Sequence, residues 1–183
     1  MKEKFRILKG LPPYGEMYVS FPQNGYSEYS EGLVVEFLKN NESKWVGNFE
    51  TGYSNLKFAS QLNNDDILII AKGICYIIDS ENPRSVIEFG VDFKEVYKYN
   101  TSIIIVGEYS IVVVKSKSEI IHFDNLCYDG ITETKLVENK LNGILNDYYS
   151  NGENAQSKFV LDLENWKFQR IEKNKIKSWK FWK

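Results

Sequence analysis

The chain has 183 residues, 43% of them hydrophobic and 26% charged, with a formal net charge of −2. That length supports a substantial core in one domain or one short repeat array. The near balance of charge excludes a globally basic nucleic-acid binder and gives no drive toward an anionic membrane. No run of 18 apolar residues occurs, so no membrane-spanning helix is expected. Aromatic residues reach 15%, with 12 Tyr and 11 Phe beside many Ile and Val, a mixture that favours strands.

Residues 1–50 open with two strand candidates, Lys4 to Lys9 and Glu16 to Phe21, split by Leu11-Pro-Pro-Tyr-Gly, which is turn chemistry. A hairpin pattern follows: Gly32 to Leu38, the polar turn Lys39-Asn-Asn-Glu-Ser, and Lys44 to Phe49. Residues 51–90 repeat the plan with Leu56 to Leu62, Ile67 to Ala71, Ile74 to Asp79 and Ser85 to Phe89. Residues 91–130 repeat it with Val91 to Tyr99, Ser102 to Val106, Ser110 to Lys115 and Glu119 to Phe123. Residues 131–172 supply Ile131 to Val137, Leu141 to Leu145, Lys158 to Leu163 and Trp166 to Ile171, with a polar insertion from Asp147 to Gln156. The clearest repeat is an echo at a spacing of 36 residues: Asp66 to Ile78 reappears as Ser102 to Val114, apolar runs over apolar runs. Inner segments such as Ile67-Leu-Ile-Ile and Ile103-Ile-Ile-Val are continuously apolar, which predicts burial on both faces.

Four four-stranded antiparallel units of about 40–50 residues have the size of propeller blades. The predicted fold is therefore all-β, a single domain over residues 1–172 that resembles a small β-propeller or a propeller-like open arc. Residues 173–183 form a basic aromatic tail. The resemblance is one of pattern, because the chain has no Trp-Asp or kelch-type signature.

The residues suited to chemistry do not assemble into a motif. His122, the only histidine, stands two residues before Asp124, so the two could share a strand face and act as a base with its orienting carboxylate. No Gly-x-Ser-x-Gly elbow supplies a nucleophile, and an ordinary strand histidine is the more economical reading. The carboxylate pairs Asp65-Asp66, Glu28 with Glu31, and Asp124 with Asp129 could serve a glycosidase, yet each lies in a turn-like stretch where Asp and Asn are expected for backbone bonding. Cys75 and Cys127 lie in apolar surroundings and read as buried free thiols. One histidine and two distant cysteines do not make a zinc site, and the glycines form no phosphate cradle, so neither a metal nor a cofactor is expected.

Binding candidates are aromatic. Tyr14, Tyr18, Tyr26 and Tyr29 lie in a stretch rich in Gly, Pro, Asn and Ser, and Tyr128-Asp129, Tyr53, Tyr148 and Tyr149 could join them if the loops converge on one rim. Loop tyrosines give rigid contact area at low entropic cost, although they equally cover strand ends. The tail sets five lysines beside Ile176, Trp179, Phe181 and Trp182. It would either cap the last sheet edge or serve as an interaction segment.

The phrases Glu31-Gly-Leu-Val-Val-Glu-Phe-Leu, Lys44-Trp-Val-Gly-Asn-Phe and Tyr128-Asp-Gly-Ile resemble those of small bacterial cytosolic proteins, among them immunity proteins that neutralise a toxin by direct binding. The resemblance implies a non-enzymatic module with a protein partner. The charge balance speaks against nucleic acid, the lack of a long apolar run against integral membrane association, and the lack of an apolar N-terminal stretch for a cytoplasmic location. A carbohydrate-binding or carbohydrate-active protein using loop Asp and Tyr is the alternative, and part of a larger assembly a third possibility.

Overall fold

Alternating or continuously apolar segments of three to nine residues, punctuated by polar turns, fold here into sixteen strands and, among the described residues, no helix. The computed structural model describes residues 4–13, 18–23, 30–62, 66–148 and 154–171. The strands are β1 (Phe5–Ile7), β2 (Val19–Phe21), β3 (Leu33–Leu38), β4 (Lys44–Phe49), β5 (Lys57–Gln61), β6 (Asp66–Ala71), β7 (Ile74–Asp79) and β8 (Val86–Phe89). They continue with β9 (Glu95–Tyr99), β10 (Ser102–Val106), β11 (Ile111–Ser116), β12 (Glu119–Phe123), β13 (Ile131–Val137), β14 (Lys140–Tyr148), β15 (Asn154–Asp162) and β16 (Lys167–Ile171). They form four four-stranded sheets. Sheets two to four are antiparallel meanders, β5-β6-β7-β8, β9-β10-β11-β12 and β13-β14-β15-β16. The all-β, blade-like repeat is therefore present.

The first sheet departs from the expected plan. Its order is β1-β3-β4-β2, and β2 joins the edge parallel to β4, with Val19 opposite Gly47 and Phe21 opposite Phe49. Leu11-Pro-Pro is thus not the turn of a hairpin, and the first two strands are not neighbours. Parallel pairing needs a long return connection, and the intervening stretch, which includes β3, lies in sequence between β2 and β4.

The 36-residue echo is a structural repeat. Ile67 pairs with Ile78 in the second sheet, and Ile103 pairs with Val114 in the third. Both copies close through two-residue turns at matching positions, Lys72-Gly73 and Glu108-Tyr109. In the first turn both residues take positive φ, 48° and 105°, the twist that suits a hairpin. In the second, the Gly107 amide donates to the Ser110 carbonyl at 2.9 Å.

The chain divides into two compact units, residues 1–122 and 123–183. In the first unit the second sheet is buried on both sides. Ile67, Ile69, Ala71, Tyr76 and Ile78 pack with Leu33, Val35, Phe37, Trp45 and Phe49 of the first sheet. Leu68, Ile70, Cys75 and Ile77 pack with Ile103, Ile105, Val112 and Val114 of the third. Three successive sheets thus stack face to face in the manner of propeller blades. Phe37 stacks on Trp45 with ring centroids 4.1 Å apart, and Phe49 meets Tyr76 across the sheet interface at 5.1 Å.

Polar bonds fix how the sheets register. Trp45 Nε1 donates to the Ser80 carbonyl at 2.8 Å, and Lys117 Nζ donates to the Ser85 carbonyl and hydroxyl at 2.6 and 2.7 Å. In the second unit the fourth sheet has one apolar face, with Ile131, Leu141, Leu145, Phe159 and Leu161 buried, and one polar face carrying Lys140, Asn142, Asn146 and Lys158.

Trp45→Phe removes the indole donor and leaves the buried Ser80 carbonyl unpaired, so chemical denaturation will show a loss of about 1–3 kcal/mol. The Ser80 hydroxyl is itself buried without a partner among the described residues. Ser80→Ala will therefore be neutral or stabilising in the same assay.

Candidate functional site

In each unit, the chain entering a sheet crosses the end of that sheet's second strand and is bonded there through its backbone. In the first unit the amide of Gly52 donates to the Ala71 carbonyl at 3.0 Å, and that of Ser54 to the Lys72 carbonyl at 2.8 Å. The Tyr53 amide donates to the Val91 carbonyl at 3.3 Å, and the Phe93 amide to the Gly73 carbonyl at 3.2 Å. Gly52 is required by closeness: a Cβ there would lie 2.3 Å from the Val91 carbonyl oxygen and 2.7 Å from that of Lys72. The neighbouring turn is tied in by the Glu108 amide donating to Asp92 Oδ2 at 3.2 Å and by a Lys94–Glu108 ion pair at 2.7 Å. With the backbone held in this way, the side chains of Tyr53, Val91 and Tyr109 point out, Tyr53 being 93% exposed.

The second unit builds a similar end around residues 126–130. The Tyr128 amide donates to Asp147 Oδ1 at 2.8 Å, and the Asp129 amide to the Asn146 carbonyl at 2.8 Å. Gly130, at φ +97°, accepts both the backbone amide and the Nδ2 of Asn146, at 3.0 and 2.8 Å. Arg170 closes the back of the loop by donating from Nη2 to Asp147 Oδ2 at 2.9 Å and to the Leu126 carbonyl. Tyr128 is left 84% exposed, beside the exposed Asp129 and Tyr148. The Tyr148 hydroxyl donates to the Asp129 carboxylate, and this bond, with the adjacent negative charge, raises the phenol above its ordinary pKa.

Of the residues expected to bind, Tyr128 and Asp129 lie together on this surface. Tyr18 is half-buried immediately before the edge strand β2. Tyr14, Tyr26, Tyr29, Tyr149, Trp179 and Trp182 lie outside the described residues. Val91, Tyr109, Asp147 and Arg170 escaped sequence reasoning. Tyr109 could have been found from the repeat, since it occupies the turn position of Gly73.

His122 is exposed, with its ring edge-on to Phe89 at 5.7 Å, and Asp124 lies beyond the end of β12. Cys75 and Cys127 are buried free thiols, and burial raises both above the ordinary thiol range. Among the described residues, no three His, Cys, Asp or Glu side chains converge to hold a metal ion, and no helix is long and apolar enough to cross a membrane. A hollow of about 490 Å³ on the polar face of the fourth sheet is lined by Lys140, Asn142, Asp162, Asn165, Lys167 and Gln169.

Arg170→Met will loosen the 126–130 loop. Removing its bonds lowers the local opening energy by about 1 kcal/mol, so the Tyr128 and Asp129 amides will exchange roughly five-fold faster with little change in global stability. The Tyr148–Asp129 bond needs the neutral phenol. Its contribution is therefore fully present below the ordinary tyrosine pKa and is lost as pH rises through the elevated folded-state value. In Asp129→Asn, NMR titration will show Tyr148 ionising at lower pH than in the wild type. Comparison of the chain with protein-family models and with curated proteins finds no match.

Proposed function

We propose that the protein is a non-enzymatic binding module that acts by protein–protein contact through these loop ends, in the manner of an immunity protein that blocks a toxin. The observation that carries this reading is that, within each unit, exposed apolar side chains gather at the loop end. Of eight large hydrophobic side chains exposed among the described residues, five (Tyr53, Val91, Tyr109, Tyr128 and Tyr148) stand at the loop ends described above. The other three, Ile7, Val137 and Ile171, belong to edge strands. Tyrosine on a backbone fixed by hydrogen bonds loses little entropy on contact, which is how rigid recognition loops gain affinity. Two buried free thiols suit the reducing environment of a cytoplasm.

The hollow on the fourth sheet favours a second reading, carbohydrate binding. Its amide and charged side chains across adjacent strands offer both donors and acceptors to hydroxyl groups. Glycan-array binding lost in Asn142→Ala and Gln169→Ala would favour it over the first.

The first reading is tested by affinity capture from a lysate of the source organism, using the wild type and a Tyr53→Ser, Tyr109→Ser, Tyr128→Ser triple variant. The expected result is one partner held by the wild type and bound at least about tenfold more weakly by the variant, with the melting temperature unchanged within a few degrees. A partner bound equally by both, or turnover of a substrate by the purified protein, overturns it.

A further inference from the structure

The loop end of the second unit carries more than exposed apolar area. Asp129 presents an exposed carboxylate that interacts with Tyr148 and is next in sequence to the exposed Tyr128, and the backbone under it is fixed. Residues 128–130 make four hydrogen bonds with Asn146 and Asp147 of β14: the Tyr128 and Asp129 amides donate one each, and the Gly130 carbonyl accepts two. The chain's own cation at this end is already engaged, since Arg170 donates to Asp147 and to the Leu126 carbonyl. Among the described residues no lysine, arginine or histidine pairs with Asp129, whose one side-chain bond comes from the Tyr148 hydroxyl. A carboxylate accepts several hydrogen bonds, so Asp129 keeps acceptor capacity after that one. The two acids and one base of this loop end, Asp129, Asp147 and Arg170, leave it net negative.

We propose that Tyr128, Asp129 and Tyr148 form a receptor for an arginine side chain of a protein partner. The guanidinium would stack on the open Tyr128 ring and donate to the Asp129 carboxylate, which Tyr148 holds in place. Arginine suits this arrangement better than lysine, because its planar, delocalised cation stacks on an aromatic face while its edge donates to a carboxylate. The inference rests on the protein-binding reading and names the chemistry that the second unit contributes to it. Each component is modest alone: a cation–π contact at an exposed site contributes about 0.5–1 kcal/mol and an exposed ion pair about 0.2–1 kcal/mol. A single arginine is therefore bound weakly, and affinity for a whole partner comes from several such contacts.

The test is an NMR titration of the intact chain with N-acetyl-arginine amide, N-acetyl-lysine amide and the neutral isostere N-acetyl-citrulline amide. The expected result is a saturable shift of the Tyr128 and Tyr148 ring signals and the Asp129 amide with the arginine compound in the millimolar range. The lysine compound should bind several-fold more weakly, and citrulline should give no saturable shift. Asp129→Asn and Tyr128→Ser should each abolish the effect, while the spectra of unit 1 stay unchanged. Equal binding of citrulline, undiminished binding in Asp129→Asn, or shifts scattered over the surface would overturn the proposal. Those failures would leave the capture experiment standing, because that experiment reads out Tyr53 and Tyr109 as well. Loss of specific capture alongside arginine binding would instead overturn the protein-binding reading and the protein partner with it, leaving a site for a guanidinium group alone.

Discussion

The second sheet has no solvent face, and the organisation of the first unit follows from that constraint. β6 is buried at all six positions, so its even-numbered side chains must meet one neighbouring sheet and its odd-numbered side chains the other. Strand geometry alternates side chains between faces, and a slip of one residue would exchange the two sets. Each set is matched to a different partner: Ile67 and Ile69 to the aromatic layer of Phe37, Trp45 and Phe49, and Leu68 and Ile70 to the aliphatic layer of Ile103, Ile105 and Val112. Burying a branched side chain contributes roughly 1.5–3 kcal/mol, so a slipped register would forfeit many such contributions together. The Trp45–Ser80 and Lys117–Ser85 bonds then lock the stack at the ends of the strands, where apolar contact no longer specifies alignment.

This constraint also delivers the loops. Once the middle strands stop at Ala71 and Val106, the connecting segments have carbonyls at those strand ends to bond with, and they take a set path over them. Tyrosines 53 and 109 are thus presented by a scaffold whose rigidity comes from the core beneath. The second unit reaches the same result with side chains. Asn146 and Asp147 at the end of β14, together with Arg170 from β16, hold the 126–130 segment, where the first unit relies mainly on backbone carbonyls.

Much of this was legible in the residues. Ile67-Leu-Ile-Ile reads as a doubly buried strand because no polar position interrupts it, and the 36-residue echo carries a true register repeat from Ile67–Ile78 to Ile103–Val114. In the first sheet the β3–β4 hairpin was legible, but the placement of β1 and β2 was not. A strand of three residues, such as Val19–Phe21, has no periodicity to reveal its partner, and its parallel pairing with β4 depends on contacts 28 positions away in sequence. Of the proposed binding surface, Tyr128 and Asp129 were candidates from turn composition, and both lie exposed on the loop end. Arg170 was not, because an arginine in an edge strand shows no sign in sequence that it reaches across 44 positions to the Leu126 carbonyl. Val91 was overlooked because a lone valine after Gly90 reads as the start of a strand, whereas it lies in the connection before β9.

The way the connecting segments are tied down separates two properties that are often entangled. At Tyr53 and Tyr128 the groups that secure the chain are main-chain amides, which every residue except proline possesses. The side chain at either place can therefore be exchanged with little effect on the folded state. Two descendants of one ancestor could keep the same framework and diverge in what they grip, altering only these outward positions. Under the proposed binding role, a surface arranged in this way is free to follow a partner that is itself changing.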